Sequence, residues 1–103
     1  MSVAELPIAF DQAALAEFCV ARGIRRLSLF GSVVRPDFDA ARSDLDVFAE
    51  FEPGVLQRTG LGYFDFGDEL SKIFGRKVDF CSRLNKHVRP LAEREMVLVY
   101  ERP

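Results

Sequence analysis

Three aspartates are the side chains of this chain best suited to chemistry. Asp44 and Asp46 stand two apart in "SDLDVFAEF". On an extended segment their side chains leave the same face, with alpha carbons about 6–7 Å apart. Carboxylate oxygens are hard ligands, and Mg²⁺ usually takes only one or two of them, completing its octahedron with water and phosphate oxygens. Asp79 lies centrally in a later strand-like segment, "KVDFC". If that segment neighbours 45–51, a third acid joins the same sheet edge. Three like charges at close range oppose folding unless a cation offsets them. A pair of divalent ions is the usual solution in phosphoryl chemistry, one serving the attacking oxygen and one the leaving group.

Upstream, Gly31 and Ser32 follow directly on an apolar run. Backbone N–H groups and a hydroxyl at such a turn can cradle phosphate oxygens, and glycine permits the close approach. Arg35 can add a bidentate phosphate contact. Each feature alone is ordinary: a D-x-D is commonly a solvated strand edge, and Asp79 alone could be an ion-pair partner of Arg76 or Lys77. Their joint occurrence and order make the pattern informative. His87, the only histidine, reads as a surface or capping residue, since metal-assisted transfer needs no imidazole.

These residues need elements to hold them. Asp11 can cap a helix over 11–22, where Ala14, Leu15, Phe18 and Cys19 recur at helical spacing and Gly23 supplies the stop. "IRRLSLF", 24–30, reads as a strand; a loop rich in Pro, Asp, Ala and Arg follows from Arg35 to Ser43. "LDVFAEF", 45–51, alternates as a half-buried strand does, and "EPG" ends it. The stretch 55–61 reads as irregular. Tyr63, Phe66, Leu70 and Ile73 then mark one helix face, closed by Gly75. A strand over 77–81, a helix over 84–95 and a strand over 96–101 complete the order. The expected fold class is α/β (α+β): a mixed sheet of about four strands packed against helices, forming one domain over 1–103.

Composition limits the function classes. The chain has 103 residues, 49% of them hydrophobic and 29% charged, which is a globular balance. A formal net charge of −2 supplies no field drawing it onto nucleic acid or anionic membrane. Local basic clusters (Arg22, Arg25 and Arg26; Arg76 and Lys77; Arg83, Lys86, His87 and Arg89) read mainly as solvated faces. Cys19 and Cys81 lack zinc or disulfide-framework spacing and read as reduced thiols. "MSVAELPIAF" has no cationic start before a long apolar run, and no stretch is apolar enough to span a bilayer, so a cytoplasmic location is expected.

With these residues in view, "LFGSVVRPDFDAARSDLDVFAEF", "GYFDFGDELSKIFGRKVDFCS" and "REMVLVYE" together resemble the minimal nucleotidyltransferases of the DNA polymerase beta superfamily, often the antitoxins of HEPN/MNT toxin–antitoxin pairs. The likeness covers roughly residues 24–101. It implies the nucleotidyltransferase fold, with Gly31 and Ser32 binding the nucleoside triphosphate, Asp44 and Asp46 ligating Mg²⁺, and Asp79 as third carboxylate helping to activate the attacking hydroxyl. Arg35 matches the arginine that commonly follows the glycine-serine pair. Members usually transfer AMP from ATP to a hydroxyl and release pyrophosphate; in antitoxins the acceptor can be a tyrosine of the HEPN ribonuclease partner, and for this chain both a homo-oligomer and a hetero-oligomer stay open. Two departures stand out. Eleven residues, 33–43, separate Ser32 from Asp44 where ten are usual, and Pro36 replaces a glycine. A second expectation belongs to another class: a non-catalytic binding module that neutralises its partner by occlusion.

Overall fold

The computed structural model describes residues 8–31, 44–82 and 96–102. Helix α1, Gln12–Arg22, begins where Asp11 Oδ1 accepts the Ala13 and Ala14 backbone N–H groups at 2.9 and 3.1 Å, satisfying two of the donors a helix start leaves open. It ends at Gly23 in the left-handed conformation, φ 70°. Strand β1, Ile24–Phe30, and strand β2, Leu45–Phe51, come next. The segment 55–61, expected to be irregular, is instead a short helix α2, Val55–Thr59, running into a 3₁₀ turn, Gly60–Asp65. Three glycines within 54–62 mask the short apolar period there. The expected helix therefore starts late: α3 spans Phe66–Phe74, and Tyr63 belongs to the 3₁₀ turn. Strands β3, Val78–Cys81, and β4, Val97–Glu101, each begin one residue inside their expected bounds. The helix expected over 84–95 lies outside the described residues.

The four strands form one mixed sheet in the order β3-β2-β1-β4. β1 runs antiparallel to both β2 and β4, while β2 and β3 are parallel. A parallel neighbour requires a crossover, and α2, the 3₁₀ turn and α3 provide it. Ser71 fixes the landing: its hydroxyl donates to Gly67 O at 2.7 Å and accepts the Val78 N–H at 3.0 Å. The fold is α+β, with α1 and α3 on one face of the sheet.

That face is the core. Leu27 and Leu29 of β1 and Leu45, Val47 and Ala49 of β2 are fully buried against Leu15, Phe18 and Cys19 of α1 and Phe66, Leu70 and Phe74 of α3. Burying each large side chain contributes roughly 1.5–3 kcal/mol. Aromatic edges close the β3 end: Phe80 meets Phe66, Phe51 and Tyr63 with centroids 5.9, 6.4 and 5.4 Å apart, and the Tyr63 hydroxyl lies 3.0 Å from Ser82 Oγ. The stripe Tyr63, Phe66, Leu70 and Ile73 thus packs with the core, as its spacing suggested.

Candidate active site

Strand alternation sends every second residue to the opposite sheet face, and register then sorts those side chains into rows. Asp46 pairs with Asp79 across the parallel ladder and with Phe30 across the antiparallel one. The two carboxylates are therefore cross-strand neighbours on one face, on strands about 4.8 Å apart. The next row holds Cys81, Phe48, Ser28 and Leu98, and beyond it Glu50, Arg26 and Glu101 follow. An acid row, a largely apolar row and a charged row thus succeed one another along the strands.

Gly31 leaves β1 directly beside the acid row. Its φ is 74°, and a Cβ placed on it would overlap Asp46 Oδ2. Glycine is required twice here: for the left-handed backbone, and for the approach of a carboxylate to the main chain. Ser32 and Arg35, expected at the same turn, lie outside the described residues. Asp44 stands just ahead of β2, exposed, with its carboxylate 3.8 Å from Lys77 Nζ. The expectation that Lys77 could occupy Asp79 is therefore redirected: it is Asp44 that the lysine approaches. The Leu45 N–H donates to Lys77 O at 2.9 Å, tying the entries of β2 and β3 together.

Cys81 reports on the field of this row. Its Sγ donates to Val47 O at 3.4 Å. Burial first, then the charges of Asp79 and Asp46, push its thiol up to about 11. Both acids are felt at one sulfur, as their shared face requires. Sequence reading placed Cys81 at a strand end without linking it to the acids; its position two after Asp79 was the available signal. Phe48, two after Asp46, was legible in the same way.

The donor set fits a hard divalent cation. Asp46 and Asp79 are oxygen ligands in adjacent register, and like charges directly opposite are unfavourable until one is neutralised. Among the described residues no three acid, histidine or cysteine side chains gather closely enough to hold a metal by themselves. The register brings Asp46 and Asp79 together while Asp44 lies against Lys77, so the expected cluster of three carboxylates is not gathered here. Among the described residues no helix is long and apolar enough to cross a membrane.

Residues 13–102 match the family model described as "Nucleotidyltransferase domain". A solved structure provisionally described as a minimal nucleotidyltransferase is 32% identical, with a TM-score of 0.64 over 82% of this chain and 85% of that one. No curated protein matches the chain.

Proposed function

Because the chain belongs to the nucleotidyltransferase domain family, and so to the transferases, we infer that it is a Mg²⁺-dependent enzyme that moves AMP from ATP onto a hydroxyl. The observation that carries this reading is the pairing of Asp46 with Asp79 beside Gly31, whose missing side chain lets the Asp46 carboxylate approach the main chain. In this reading Gly31 and Ser32 hold the triphosphate through backbone N–H groups and the hydroxyl, and Arg35 steadies it. Asp44 and Asp46 would hold the magnesium, Asp44 moving in from its place against Lys77, with Asp79 as the third carboxylate. The bound ion, or ion pair, neutralises charge on the phosphate oxygens.

Asp79 faces the incoming hydroxyl from the neighbouring strand, where it orients that group and receives its proton. The acceptor oxygen bonds to the alpha-phosphorus as the bond to the bridging oxygen of pyrophosphate breaks. Attacking and leaving oxygens stand in line. The acceptor we assign is a tyrosine of a HEPN-domain ribonuclease toxin, which makes this chain the antitoxin of the pair.

Incubation with labelled ATP, Mg²⁺ and the folded HEPN partner should label the partner with AMP and release pyrophosphate. Absence of transfer from every nucleotide tried would overturn the reading. The double variant Asp44→Asn with Asp46→Asn separates it from neutralisation by occlusion. The variant should still bind the partner and no longer silence it; if silencing persists, complex formation suffices.

A further inference from the structure

We propose that Lys77 is a positioning residue of the metal site: it holds Asp44 off the acid row while no divalent cation is bound, and competes with that cation for the carboxylate. The proposal rests on the transferase reading above and adds to it a residue that sets how readily the site loads.

The backbone puts Lys77 where this can happen. Leu45 pairs with Val78 and Asp46 with Asp79 in the parallel ladder. The Leu45 N–H donates to Lys77 O at 2.9 Å, so the first rung brings Asp44 and Lys77, the residues just before the two strands, alongside each other. Each stands two residues before an acid of the row, and on extended backbone that spacing returns a side chain to the same face. Lys77 is therefore one pleat, about 7 Å, from the paired acids.

Charge gives the arrangement its consequence. Asp46 and Asp79 set like charges side by side, which leaves their face in want of a cation. Lys77 Nζ lies 3.8 Å from Asp44 Oδ2, and among the described residues Asp44 has no other ion-pair partner and Lys77 no other carboxylate. Both side chains reach solvent, at 80% exposed for the lysine and 48% for the aspartate. A loose, solvated pair of this kind contributes little and opens easily. A bidentate or buried partner would shut Asp44 out of the site, whereas this one keeps it only until a cation of higher charge arrives. Magnesium takes carboxylate oxygen directly and carries twice the charge of the ammonium. An ammonium on the same carboxylate repels the incoming ion and withdraws one of its ligands, so each cation weakens the other's hold by the same factor. Removing the lysine leaves the fold alone: its side chain is exposed, and the entry of β3 is fixed by the bond from the Val78 N–H to the Ser71 hydroxyl.

The test measures Mn²⁺ binding without nucleotide, from the EPR signal of the free ion, in wild type, Lys77→Met, Lys77→Arg and Lys72→Met. Lys72, exposed in the last turn of α3, controls for the loss of one positive charge elsewhere on the domain. Lys77→Met should bind Mn²⁺ about two- to fivefold more tightly at low salt, with the gain shrinking as ionic strength rises. Lys77→Arg and Lys72→Met should match wild type. An affinity in Lys77→Met that is unchanged or weaker, or an equal gain in Lys72→Met, overturns the proposal and leaves the transferase reading standing. A wild-type protein that binds no Mn²⁺ either alone or with ATP overturns both.

Discussion

The two faces of β2 carry opposite kinds of residue on one backbone. Leu45, Val47 and Ala49 are fully buried against the helices, while Asp46, Phe48 and Glu50 look the other way, among carboxylates and a thiol. The core face gains free energy by excluding water. On the other, Asp46 and Asp79 pair like charges, which costs roughly 0.2–1 kcal/mol. The difference teaches that anchoring and polar display are divided by alternation: one set of side chains holds the strand, and the other sets Asp46 beside Asp79.

Substitutions on the two faces should therefore have opposite signatures. Asp46→Asn should cut transfer about a thousandfold, ~4 kcal/mol of transition-state stabilisation, yet shift the melting temperature far less than a truncation on the core face. A large loss of stability in that variant would erase the distinction between the faces. Leu29→Ala, on the core face, should lower stability by about 2–5 kcal/mol in denaturant titration, a large share of what a domain of this size possesses. Gly31→Ala joins the two faces' concerns: a left-handed alanine costs about 1–2 kcal/mol, and its methyl displaces the Asp46 carboxylate. It should lose both stability and activity, whereas a strictly structural glycine would lose stability alone.

Alkaline pH tests the core face by another route. Burial raises the Cys19 thiol to about 12, with Arg22 opposing. A thiol harder to ionise when folded contributes stability that is complete below its unfolded value near 9 and is lost as pH rises toward about 12. Melting temperature should fall over that window, and Cys19→Ala should flatten the fall. The smallest effect is expected at Lys77→Ala. Its pair with Asp44 is exposed, so stability should change by no more than about 0.5 kcal/mol.

Much of this arrangement was legible in the chain. Asp11 and Gly23 announced α1 because capping is local chemistry, and the alternation in "LDVFAEF" announced both the strand and the face its acids would use. The pairing of Asp46 with Asp79 was legible only as a condition, since register between strands 33 positions apart is set by packing of the intervening α3 rather than by either strand. The helix at Val55–Thr59 was missed because Gly54, Gly60 and Gly62 outweigh five residues of weak periodicity in any local reading. The place of Leu98 was missed for a related reason. It reaches the Ser28–Phe48 row only through a register shift between Leu27 and Ser28, and no pattern within β4 signals it.

The parallel pairing of β2 with β3 also bears on how the protein comes into being. An antiparallel hairpin would have set its two acids side by side as soon as a turn closed. Here a growing chain that has emerged only as far as Phe51 owns Asp44 and Asp46 but no third carboxylate to set beside them, and residues 52–77 must form their crossover before Asp79 can arrive. Non-local contacts of this kind form late and slowly. The juxtaposition of Asp46 with Asp79 is therefore a property of the whole stretch from β2 to β3 and of neither strand alone.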